Sequence, residues 1–218
     1  MIRNLILGLL SFLALAAFLS QGSAQEGGPT PDEALKRLKQ GNARFVADDL
    51  KEATPPSRQR LATAEKQKPV AVILTCADSR AAPEYIFDKG LGMLFVVRVA
   101  GNVGGPEVYA SMEYAVAVLN APLIVVLGHT NCGAVEAVFK GKDLPTEHLI
   151  GLTKLIHTGD RPKDLDTAIL NNVLAQTEQV TKQSALLKDF AATGRIRIVP
   201  AVYDLKSGEV RWLERKRK

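Results

Sequence analysis

Two cysteines, three histidines and one tryptophan in 218 residues leave this chain few of the groups that most often announce a chemistry. A single cysteine pair is too sparse for a disulfide framework, and it leaves no spare sulfur if both are used in one place. Aromatic residues make up 6% of the chain, and none alternate with basic ones as in single-strand binders, so nucleic acid is not an expected partner. The net charge of +5 is modest, and much of it sits in the stretch from Arg211 to Lys218, which reads as a solvated terminus. There is no internal repeat. Long apolar runs are also scarce, the clearest being Leu5 to Leu19 behind Arg3 and ahead of Gly22-Ser23-Ala24. That pattern is a secretory signal peptide cleaved after Ala24, because the run is short for a bilayer span and small residues follow it. The mature protein is expected in the periplasm or outside the cell, with no stable membrane span.

What remains, residues 25–218, is long enough for one domain with a sizeable core. Thr30-Pro31-Asp32-Glu33 is a capping box with proline at the first helical position, and it opens a helix through Ala34, Leu35, Leu38 and Phe45. Gly41-Asn42 is a weak point in that helix. Two prolines between Ala53 and Ser57 end it, and residues 58–66 read as a short polar helix or loop. Residues 30–66 therefore form a helical arm, and 67–218 an α/β core.

In the core, Val70 to Thr75, Met93 to Val99 and Leu123 to Leu127 are continuous apolar runs rich in β-branched residues. Such runs suit strands covered on both faces. Helical segments lie between them at Ala82 to Asp88 and Glu107 to Leu119, and another is expected after Cys132. This alternation predicts a mostly parallel central sheet flanked by helices. A longer helical region follows from Asp164 to about Phe190, interrupted near Ser184. Arg195 to Leu205 and Glu209 to Leu213 then form an antiparallel edge hairpin around Lys206-Ser207-Gly208.

Sites in open parallel sheets form at the carboxyl ends of strands. Cys76, Asp78 and Arg80 follow the first strand, Gly101 and Asn102 the second, and His129 and Cys132 the third. Cys76, His129 and Cys132 offer the S, N, S donors that suit a tetrahedral zinc ion with one position left open. Asp78 is either a fourth ligand or a neighbour of whatever fills that position. Arg80 is placed to pair with Asp78 and keep it ionised. Cys132 should stand at a helix N-terminus, which favours its thiolate. The competing reading is a Cys76–Cys132 disulfide, the default for a lone pair in an exported protein. His129 at metal-binding spacing, with Asp78 and Arg80 alongside, weighs towards the metal.

The segments Gly41 to Phe45, Cys76 to Arg80, Phe95 to Asn102, Ser111 to Ala115, Gly128 to Val135 and Tyr203-Asp204-Leu205 together resemble the β-class carbonic anhydrases, in order and across nearly all of the mature chain. The resemblance implies zinc on Cys76, His129 and Cys132, with Asp78 and Arg80 as gate and orienter. It implies that zinc-bound hydroxide attacks carbon dioxide to give bicarbonate and a proton. It further implies a substrate pocket from Gln67, Phe95, Ala100, Tyr114 and Gly133, and a homodimer or dimer of dimers whose helical arm wraps the neighbour. Gln67 matches the plant-like subgroup. Thr75 and Ile73 stand where another subgroup, with an inhibitory bicarbonate site, has Gly and Trp. Ala81 departs from the usual Val. Carbon disulfide or carbonyl sulfide in place of carbon dioxide, and metal binding without catalysis, are the alternatives.

Overall fold

The computed structural model describes residues 28–53 and 57–213. The expected signal peptide, the two-proline break and the last five residues of the basic tail lie outside the described residues. Helix α1 (Pro31–Val46) starts as its capping box requires: Glu33 N donates to Thr30 Oγ1 at 3.3 Å, and Thr30 N donates to Glu33 Oε2 at 2.8 Å. A cap of this kind stabilises a helix by roughly 1 kcal/mol. Its apolar stripe of Ala34, Leu35 and Leu38 is buried against this chain's own sheet.

Gly41-Asn42, expected as a weak point, is where α1 is fastened. A Cβ on Gly41 would stand 1.8 Å from the carbonyl oxygen of Phe87, so only glycine permits the approach. Asn42 donates to Ile86 O at 3.2 Å and Gly208 O at 2.9 Å, and accepts from Val210 N at 2.9 Å. One side chain thus ties the arm to two distant segments.

The five strands run in the order β2-β1-β3-β4-β5. They are β1 (Ala71–Thr75), β2 (Leu94–Arg98), β3 (Leu123–His129), β4 (Arg197–Tyr203) and β5 (Val210–Trp212). The first four are parallel, and β5 returns antiparallel to β4. This is the mostly parallel sheet with an edge hairpin that the runs predict. Every residue of β1 and β3 is buried, whereas β2, at the sheet edge, is half-buried. Side chains of the central strands alternate between two cores. Ile73, Val125 and Leu127 pack with α1 and α3 (Pro83–Ile86), while Leu74, Ile124 and Val126 face the other helices. Burying each such aliphatic side chain contributes roughly 2 kcal/mol, which is why uninterrupted apolar runs become central strands.

The second face is covered by α4 (Pro106–Ala117), α5 (Gly133–Phe139), α7 (Leu165–Gln183) and α8 (Ala185–Ala192). Ser184 interrupts the long helical region as expected: its Oγ caps α8 by accepting from Leu187 N at 3.1 Å. Residues 57–63 form the short α2 (Ser57–Thr63), and α6 (Glu147–Thr153), not foreseen, contributes no buried residue. After β1 the chain turns to one side to make β2, then crosses to the other side for β3. The crevice at this reversal lies beyond the ends of β1 and β3, where Cys76 and His129 stand.

Candidate metal centre

Cys76 leaves the end of β1, His129 is the last residue of β3, and Cys132 is the N-cap of α5. All three are buried, and their donor atoms lie within 4.8 Å of one another. The sulfurs are 4.0 Å apart and both cysteines are free, so the structure holds a thiol pair and not the alternative disulfide.

The tautomer of His129 follows from its partner. Nδ1 lies 2.9 Å from the carbonyl oxygen of Thr130. A carbonyl only accepts, so Nδ1 carries the proton and Nε2 presents a lone pair to the interior. That Nε2 is buried and, among the described residues, has no hydrogen-bond partner. An orphaned buried nitrogen costs free energy unless something binds it. Thr130 is itself fixed, its N–H donating to Tyr203 O at 2.9 Å and its Oγ1 accepting from Leu205 N at 3.0 Å.

Protonation follows the same geometry. The Cys132 thiol donates towards the Cys76 sulfur and, with the Gly101 N–H at 3.3 Å, pulls the Cys76 pKa well below that of an ordinary thiol against the cost of burial. Cys132 correspondingly keeps its proton, because two thiolates this close in a buried site repel each other. The N-cap position is therefore as expected, but the thiolate favoured in the metal-free pair is Cys76. Burial opposes charge on His129, yet the adjacent Cys76 sulfur outweighs it and raises the imidazole pKa. Two sulfurs, one lone pair and a preference for added positive charge fit a zinc ion.

Asp78 sits beside these donors, with Oδ2 3.8 Å from His129 Nε2. Arg80 grips both of its oxygens, Nε to Oδ1 at 2.9 Å and Nη2 to Oδ2 at 2.7 Å, and its backbone N–H adds a bond to Oδ1 at 2.9 Å. This guanidinium holds the carboxyl far below the usual carboxylate range. Arg98 fixes the loop beneath, donating to Cys76 O at 3.2 Å and to Asp78 O at 2.6 Å. Arg98 lies in the Phe95 to Asn102 run and is not among the site residues expected from the sequence. The signal was its position at the strand end, level with Thr75 in the ladder.

The remaining expected residues divide into two groups. Ala100 lies in the turn whose next residue, Gly101, touches Cys76, and Gly133 follows Cys132 directly, with open space among the described residues where a Cβ would stand. Gln67 is exposed and precedes β1, so that whole strand, roughly 16 Å at 3.3 Å per residue, separates it from Cys76. Phe95, half-buried on the edge strand and packed against the core, pairs at 6.3 Å between ring centroids with Tyr114, which is 48% exposed. A single chain does not bring Gln67 to the donors.

Comparison with known proteins bears on this site. The sequence profile of the family described as carbonic anhydrase matches residues 71–210. Carbonic anhydrase 2 of Mycobacterium tuberculosis is 40% identical over 187 residues, covering 82% of this chain and 90% of that protein. Among solved structures, the β-carbonic anhydrase CcaA superposes with a TM-score of 0.63 at 23% identity, over 83% of this chain and 95% of that one. One of two tetrameric β-carbonic anhydrases from Sordaria macrospora also gives 0.63, at 21% identity, over 84% and 98%.

Proposed function

From the premise that this chain belongs to the carbonic anhydrase family, in its β class, we propose that it hydrates carbon dioxide reversibly to bicarbonate and a proton at a zinc ion held by Cys76, His129 and Cys132. The observation that carries this reading is the cluster of two sulfurs and one unpartnered imidazole nitrogen within 4.8 Å. Zinc bound there supplies Lewis acidity and brings the pKa of coordinated water towards neutrality, as described for carbonic anhydrases with three histidine ligands, which share the reaction but not this ligand set.

The chain's own groups do the rest. Asp78, clamped by Arg80, is too weak a base to take a proton at neutral pH, so it accepts a hydrogen bond and orients the nucleophilic water. The same clamp draws both carboxylate oxygens towards Arg80, which disfavours Asp78 as a permanent fourth ligand. Ala100 and Gly133 present small, uncharged surface beside the donors, suited to an apolar substrate.

Gln67, Phe95 and Tyr114 would complete the pocket from a second copy. Two observations support a homodimer or dimer of dimers: β2 is an open sheet edge, and Tyr85, Leu91, Tyr114 and Val118 are exposed large apolar residues. Light scattering should then give at least twice the mass of the mature chain. The N-terminal run of Leu5 to Leu19 supports export to the periplasm or medium, with the plant-like subgroup indicated by Gln67. The deciding experiment is zinc analysis with a hydration assay on parent and Cys132→Ser. One zinc per chain with activity, both lost in the variant, is expected; an active zinc-free protein would overturn the proposal.

A further inference from the structure

Two buried amides on α7, Asn172 and Gln176, are 0% and 2% exposed and lie outside the donor set. Both join the turn after β2 to the segment that follows α6. Gln176 Oε1 accepts from Gly104 N at 3.0 Å, and its Nε2 donates to Leu155 O at 2.6 Å. Asn172 Oδ1 accepts from His157 N at 3.0 Å, and its Nδ2 donates to Gly101 O at 2.8 Å.

Asn172 differs from its neighbour in what it holds. Gly101 is the residue whose N–H meets the Cys76 sulfur at 3.3 Å. Its φ of 74° is left-handed, and a Cβ there would lie 2.9 Å from Ile156 Cδ1. Its carbonyl takes the Asn172 amide in place of a ladder partner, so a side chain does the fixing.

We infer that Asn172 is a positioning residue for the metal centre: by holding the Gly101 carbonyl it aims the Gly101 N–H at the Cys76 sulfur, and so sets that sulfur's orientation and donor strength towards the metal. This rests on the metal-site reading above. A thiolate that loses a hydrogen bond becomes more electron-rich, which moves its charge-transfer band, but losing the contact that orients it costs more in metal affinity than the added donor strength returns.

The test uses cobalt(II) as a spectroscopic probe in the full protein, comparing Asn172→Leu with Gln176→Met. Both remove a buried amide of similar shape from the same helix. In Asn172→Leu the sulfur-to-cobalt charge-transfer band should move to longer wavelength and zinc affinity, by chelator competition, should fall about tenfold. Gln176→Met should lower the melting temperature while leaving band and affinity as in the parent. A parental spectrum in Asn172→Leu, or the same shift in both variants, overturns the inference; a parent that takes up no cobalt sinks the metal reading instead. Should Asn172→Leu fail to fold, the parent loaded with cadmium-113 decides. Scalar couplings are expected from the Gly101 amide proton to cadmium and from the Asn172 side-chain amide to the Gly101 carbonyl carbon, and the absence of either refutes the assignment.

Discussion

Asp78 and Asp88 are each gripped by an arginine, and each is held below the ordinary carboxylate range, yet they are placed for opposite jobs. Asp88 is fully buried at a left-handed position just after α3. It accepts N–H bonds from Lys51, Glu52 and Ala53 at 3.0, 2.8 and 2.8 Å, and Arg44 Nε at 2.5 Å. Burial alone would raise its pKa; Arg44 and the three amides outweigh that and bring it to about 2. Three amides converge on Oδ1 and Arg44 takes Oδ2, and all four bonds pin the arm onto the core. Asp78 meets its arginine two residues along and keeps Oδ2 facing His129. A carboxylate saturated by distant backbone is a fastening, whereas one satisfied locally keeps an oxygen facing the chemistry.

Removing Arg44 should have the largest effect. Arg44→Leu leaves the buried Asp88 without its counter-charge and should cost about 3–5 kcal/mol of stability. The zinc content of the folded fraction should be unchanged. A loss below about 1 kcal/mol in chemical denaturation would mean that the fastening is not electrostatic. Asp78→Asn should reverse this profile, with hydration falling about a hundredfold or more and the melting temperature moving by only a few degrees, roughly the effect of 1 kcal/mol in a chain of this size. Comparable loss in both properties would erase the distinction between the two pairs.

The pH dependence of stability is a smaller effect. The folded pKa of Asp88 is depressed to about 2, against roughly 3.9 in an unfolded chain. Its contribution is therefore complete above about pH 4 and is lost as pH falls towards about 2. Asp88→Asn should be less stable throughout and should show a flatter slope across that window; an unchanged slope in urea titrations would remove Asp88 from the account. The smallest effect is expected at the exposed Lys140–Glu136 pair, one helical turn apart. Lys140→Ala should cost under about 0.5 kcal/mol.

The comparison also explains what could be read in advance. Cys76, Asp78 and Arg80 lie within five residues, and His129 and Cys132 within four, so local spacing carries the donors and the orienting pair. Asp88 and Arg44 are 44 residues apart, Asn42 reaches Gly208 across 166, and Asn172 reaches Gly101 across 71. No periodicity connects such partners; they meet only after the sheet has formed. Gly41 looked like a flaw because helix propensity ignores what lies outside the helix. The central strands were legible because burial on both faces demands unbroken apolar runs, while the same kind of run did not mark β2 as a half-buried edge strand. Helix α6 was missed although Thr146 marks its start by accepting from Leu149 N.

X-ray absorption at the zinc edge of the purified protein tests the central claim most directly. The account predicts one zinc per chain with two sulfur scatterers and one imidazole, and no bound zinc in Cys132→Ser. Zinc surrounded by oxygen and nitrogen alone in the parent would contradict it.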